Sequence, residues 1–207
     1  MESAWRDARI ARIYEGTNEI NRMLSVGMLI KKAFKGHVDL LGPATKVQEE
    51  LMGIPSFDTP DYSELFSEEK EMLGKLKKAF LMVAGGAVQK YGPDLEGHQQ
   101  LLIAAADILI EIYMAESTIL RTEKMAKKDG ESNVQEQIAM AKLYLYKAVD
   151  VVTQKGKESV ISFAEGDEQR MMLMGLRRFT KYTNMPNIIG LREMITTKLV
   201  AENEYCF

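Results

Sequence analysis

From Ser67 onward, apolar residues return every three or four positions, the period of a helix with one buried face. Met72, Leu73, Leu76, Phe80, Val83, Ala87 and Tyr91 form one such stripe, with Ser67 as the expected N-cap and Glu68 and Glu69 in the first turn. Gly92-Pro93 breaks it. A second helix is predicted from about Asp94 to Lys128, and between Leu101 and Ala115 its only charges are Asp107 and Glu111. A helix apolar nearly all round belongs at the centre of a bundle. Asp129-Gly130 ends it, and Ser132 with Gln135 has the spacing of a capping box. Val134, Ile138, Ala141, Leu145, Ala148 and Val152 trace the third buried face. A fourth helix is predicted from Gly166-Asp167 to about Tyr182, and a last one from about Asn187 to Ala201, after the break at Met185-Pro186. No segment shows a defensible period of two. The pattern predicts an all-α fold, an up-and-down antiparallel helical bundle.

Upstream, Ile20, Met23, Leu24 and Met28 mark an amphipathic helix over about 17–34, capped by Thr17 or Asn18 and closed by Gly36. A shorter helix is predicted over Pro43 to Met52. The stretch 53–66, GIPSFDTPDYSELF, carries two prolines and reads as a linker. The expected organisation is therefore 1–52, a linker over 53–66, and a bundle over 67–207. Gly85-Gly86 lies in mid-helix with no strand before it, which predicts close approach of a neighbouring helix and not a phosphate loop.

Composition narrows the class. In 207 residues there are 14 methionines against five prolines, and the net charge of −3 gives no reason to expect a nucleic-acid partner. The charge is uneven: residues 1–36 hold seven Lys/Arg and four Asp/Glu, a basic piece suited to phosphates or to an acidic protein surface. Cys206 is the only cysteine, which fits a reducing compartment. There is no apolar leader and no run of about 18 apolar residues, so the expected location is cytoplasmic. The two histidines, His37 and His98, lack the Glu-x-x-His spacing of a bundle metal site, and no metal is expected. Asp107 and Glu111 are expected to pair with basic side chains across the bundle. Arg177, Arg178 and Lys181 beside Met171, Met172 and Met174 form a basic amphipathic stretch, compatible with peripheral membrane contact or with a solvated face.

The stretch with most chemical content is Arg6 to Arg22, RDARIARIYEGTNEINR. It places Glu15 on a loop just before a helix start, where backbone N–H groups lack partners. A carboxylate beside free amide donors suits removal of a proton next to a polarised carbonyl; an acidic residue favoured by the helix dipole fits the same pattern. The run RDARIARIYEGTNEINRML closely resembles the signature of flavin-dependent acyl-CoA dehydrogenases, and SVGMLIKKAFKG with LGPATKVQEEL resembles its continuation in the long-chain branch. The resemblance is strong over 4–53 and architectural beyond. It implies that Glu15 is the base that takes the α-proton of an acyl-CoA thioester. It further implies that Gly16 lies against substrate, and that Thr17, Asn18 and Glu19 lie along FAD. It implies an acyl-CoA substrate, an electron acceptor and fatty-acid β-oxidation; Ile20, Leu24, Met28 and Ile30, expected to stand uncovered on the helix over 17–34, predict a homo-oligomer. On this reading 1–52 is the helical end of a catalytic domain and 67–207 an appended bundle, a C-terminal part that alone would neither retain FAD nor turn over. The rival expectation is a non-catalytic helical module for oligomerisation, partner docking or membrane association.

Overall fold

The computed structural model describes residues 2–53 and 62–207, and the described residues form eight α-helices and no strand. They are α1 (Glu2–Ile10), α2 (Asn18–Phe34), α3 (Leu41–Met52), α4 (Ser67–Tyr91), α5 (Gln99–Asp129), α6 (Gln135–Phe163), α7 (Gly166–Phe179) and α8 (Ile188–Glu202). Most of the expected linker, 54–61, lies outside the described residues.

The direction of each helix can be read from its contacts. Lys70 pairs with Glu123 and Lys77 with Glu116, so numbers rise along α4 as they fall along α5. Arg22 on α2 meets Asp107 on α5 while Glu111 on α5 meets Lys147 on α6, and α5 meets α6 again across the turn after Asp129. Consecutive helices thus fold back on one another, as an up-and-down bundle requires. The stripes meet inside: Leu76, Ile108, Ile119, Leu145, Val152 and Val160 are among the side chains wholly removed from water. Val26 of α2 and Val47 of α3 join the same core cluster.

Small residues set the spacing where helices come closest. A Cβ on Gly86 would lie 2.9 Å from the Phe163 ring and 2.8 Å from Met172 Cε, and one on Gly175 would lie 2.6 Å from Leu51 Cδ2. Gly86 therefore serves close approach of α6 and α7, while a Cβ on Gly85 would lie 3.3 Å from Ala44 Cβ of α3. Gly86→Val is expected to lower stability by about 1–3 kcal/mol through overpacking, read as a melting temperature lower by roughly 5 °C. An unchanged melt would show that the Phe163 ring yields at no cost.

Several local expectations are corrected. Ser67 is not the cap of α4: Phe66 holds that place with φ 63°, and the Ser67 hydroxyl instead donates to the Glu64 carbonyl at 2.7 Å. The Ser132–Gln135 capping box does not form, because residues 131–133 make a 3-10 turn, α6 begins only at Gln135, and the Gln135 side-chain amide donates to the Glu131 carbonyl. A second 3-10 turn takes residues 92–97, so α5 starts at Gln99 and not near Asp94. There His98 stacks on Tyr91, ring centroids 3.7 Å apart. The helix expected to reach Tyr182 stops at Phe179.

The methionines of α7 divide: Met172 is buried and Met174 is 71% exposed. Arg178 turns back to the C-terminal end of α3, where it reaches both the carbonyl and the carboxylate of Glu50. Asp107 and Glu111 of α5 find cations as expected, in Arg22 and Lys147. Burial and the neighbouring Glu111 push the Tyr144 hydroxyl up to about 12. Among the described residues no helix is long and apolar enough to cross a membrane.

Beneath the N-terminal half of α3 the packing is incomplete. A cavity of about 70 Å³ lies between α2, α3, α4 and α5. Left empty, such a volume costs about 1.7 kcal/mol at roughly 24 cal/mol per Å³.

Candidate functional site

The Arg6–Arg22 stretch folds as a helix, a tight turn and a second helix. α1 buries nothing; its arginines are held locally, Arg6 by Glu2 at 2.6 Å and Arg9 by the Trp5 ring at 5.0 Å. After Ile10 the backbone closes into successive turns, ending with the Asn18 N–H donating to the Arg12 carbonyl at 3.1 Å. This reversal requires two left-handed residues in a row, Glu15 at φ 57° and Gly16 at φ 94°. For a residue with a Cβ that conformation costs about 1–3 kcal/mol, and it concentrates at functional turns. Gly16 also has no room for a side chain, since its Cβ would fall 2.9 Å from Asn21 Oδ1. Asn21 Nδ2 in turn donates to the Gly16 carbonyl at 2.9 Å and locks the turn.

Thr17 is the N-cap of α2, its hydroxyl accepting from the Ile20 N–H at 3.3 Å. Glu19 occupies the first turn. Its own backbone N–H, then the Thr17 hydroxyl and the charges of Arg22 and Arg12, hold its carboxyl below the usual range. Glu15 stands exposed on the turn just ahead of that helix start.

The five predicted positions are contiguous, but the structure divides them. Thr17, Asn18 and Glu19 share the wall of an open concavity of about 670 Å³ with Arg6, Arg9, Arg12 and Arg22. Glu15 and Gly16 are not part of that wall. Arg6 is paired with Glu2 and Arg22 with Asp107, and Glu19 adds one carboxylate, so the wall keeps an excess of positive charge that suits an anionic group such as a phosphate. In the sequence this is part of the basic piece suited to phosphates or to an acidic protein surface; the arginines at 6, 9 and 12 recur every third residue, the spacing of a shared face.

With this geometry in view, comparison with known proteins is decisive at the level of family. The model of the family described as "Acyl-CoA dehydrogenase, C-terminal domain" matches residues 75–178, from early in α4 to the end of α7. The chain belongs to the acyl-CoA dehydrogenase family. A protein of Bacillus subtilis (strain 168), described as a probable acyl-CoA dehydrogenase, is 39% identical over 183 residues, covering 88% of this chain and 30% of that protein. A crystal structure of an acyl-CoA dehydrogenase complexed with FAD from Bacillus anthracis superposes with a TM-score of 0.89 at 38% identity. It covers all of this chain and 34% of that one. The chain thus spans about a third of the length of these relatives.

Proposed function

We propose that this chain supplies the base and the helical bundle for FAD-dependent α,β-dehydrogenation of an acyl-CoA thioester to the trans-2-enoyl-CoA, a step of fatty-acid β-oxidation. The observation that carries the proposal is the consecutive left-handed pair Glu15-Gly16, which presents a carboxylate on an exposed turn at the start of α2. A Glu15 carboxylate oxygen takes the α-proton, and the side-chain-free Gly16 lets the substrate lie against the backbone. FAD, when bound, supplies the acceptor for the hydride from the β-carbon. Thr17, Asn18 and Glu19 would lie along it, and the arginine-lined hollow they share suits its phosphates. Closure of the site excludes water from the Glu15 carboxylate as it takes the proton.

The division into a base-bearing 1–52, a linker over 53–66 and a bundle over 67–207 belongs to this reading, as does a cytoplasmic enzyme. The chain alone binds no flavin and does not turn over, because a third of such an enzyme leaves Glu15 without a closed pocket. The test is a chimera in which this chain replaces the matched third of the Bacillus anthracis enzyme. The chimera is expected to hold FAD, and its flavin absorbance to bleach with one or more of a series of acyl-CoA thioesters of increasing length. A folded, flavin-loaded chimera that no thioester bleaches would favour the non-catalytic module instead.

The same reading accounts for the apolar side chains left in water. Ile20, Leu24 and Met28 stand about half exposed along α2, with Trp5, Ile13 and Tyr14 just upstream. Ile30, expected on the same surface, is instead partly buried against the core. A patch of this kind is covered by a partner or by self-association. The isolated chain is expected to be a dimer or larger at tens of micromolar, and Leu24→Glu to shift it toward monomer. A wild-type monomer by light scattering at that concentration would count against the proposal.

A further inference from the structure

The cavity under α3 is a separate site with its own chemistry. Every residue lining it is Ala, Gly, Val, Leu, Ile or Phe, so it offers nothing to a buried hydroxyl or a charge and would not hold ordered water. The space is framed by small residues from four different helices: Ala33 on α2, Ala44 on α3, Ala84 and Gly85 on α4, and Ala105 on α5. Larger side chains at any of these positions would fill it.

The cover is also suited to opening. The C-terminal end of α3 is pinned through Glu50 to Lys78 at 2.7 Å and to Arg178. Its N-terminal half lies over the hollow, and there the helix start is held only locally, Asp39 Oδ1 accepting from the Gly42 N–H at 2.9 Å. Phe34 and Leu41, both more than half exposed, flank the way in. Ile30 in the wall is about 20 Å along α2 from Thr17, at 1.5 Å per residue, so this is not the Glu15 site.

We propose that this cavity binds the end of an unbranched hydrocarbon chain, entering between Phe34 and Leu41. A volume of about 70 Å³ holds roughly five probe-sized groups, which corresponds to about five carbons, the hydroxyl-bearing end staying at the mouth. Burying such a chain gives a Kd on the order of 0.1–1 mM. The probe is 1-hexanol, titrated into the 207-residue chain and followed by methyl NMR, with 1,6-hexanediol as control. Saturable shifts are expected at Ile30, Val88, Leu101 and Leu102, and at least tenfold weaker binding of the diol, whose second hydroxyl would enter a wall without acceptors.

Ala84→Leu and, independently, Ala105→Leu should abolish the hexanol shifts while leaving the spectrum folded. The diol comparison on wild type decides the matter if neither variant folds. No saturable shift, equal binding of the diol, or shifts confined to the exposed face of α2 would each overturn the proposal.

Discussion

Glu15→Gln in the chimera is expected to slow bleaching of flavin by acyl-CoA by about 10²–10⁴-fold, the range for loss of a general base. Glutamine keeps the length of the side chain and the backbone amide, so flavin content and acyl-CoA binding should be retained. What is lost is the acceptor for the α-proton. Glu19, the nearest other carboxylate in the sequence, is poorly placed to take over, because its carboxyl is engaged by its own N–H and by Thr17 at the start of α2. Its lowered pKa also makes it a weaker base than an ordinary glutamate. Stopped-flow absorbance at saturating acyl-CoA separates binding from chemistry. Bleaching at the unmodified rate would mean that the base lies elsewhere. Gly16→Ala is a useful companion, since at φ 94° a side chain is strained and would also meet Asn21. It should disturb the turn without removing the carboxylate.

Leu76→Ala is expected to destabilise the chain by about 2–5 kcal/mol, lowering the melting temperature by roughly 10 °C. Leu76 has no exposed surface and sits in the middle of α4, the helix that contacts α3, α5, α6 and α7. Its removal leaves a hole inside the bundle that the surrounding side chains can close only in part. Leu120→Ala deletes the same atoms from a side chain that is 54% exposed, and is expected to stay within about 0.5 kcal/mol. Equal melts for the two variants would mean that the core is not where the structure puts it.

The stripes of α4, α5 and α6 were legible in the sequence because burial imposes the three-to-four spacing directly. The turn at Glu15-Gly16 was legible for another reason: a contiguous motif keeps its register whatever the fold around it. What escaped was chemistry that no single residue announces. A phenylalanine in the left-handed region at the start of α4 carries no side-chain signal, and a 3-10 turn at 131–133 displaced a well-spaced capping box. Partner choice was equally hidden. That Asp107 meets Arg22 depends on the register of α2 against α5, which only the assembled bundle fixes. The arginine-lined hollow depends on the turn that brings Arg6, Arg9 and Arg12 to one wall with Arg22.

The last helix qualifies the rule that a helix apolar on all sides belongs inside. Ile188, Ile189, Leu191, Met194, Ile195, Leu199 and Val200 surround α8, yet none of its residues is fully buried. It lies chiefly on α6, with Lys198 reaching Glu136 at 3.2 Å. So little of its surface is shared that it can lift away while the central helices stay closed. Its amides then exchange with deuterated solvent through a local opening, decoupled from the slow global event that exposes Leu76. The chain is thus expected to show two levels of protection in hydrogen–deuterium exchange, the amides of α8 exchanging sooner than those of the helices around Leu76.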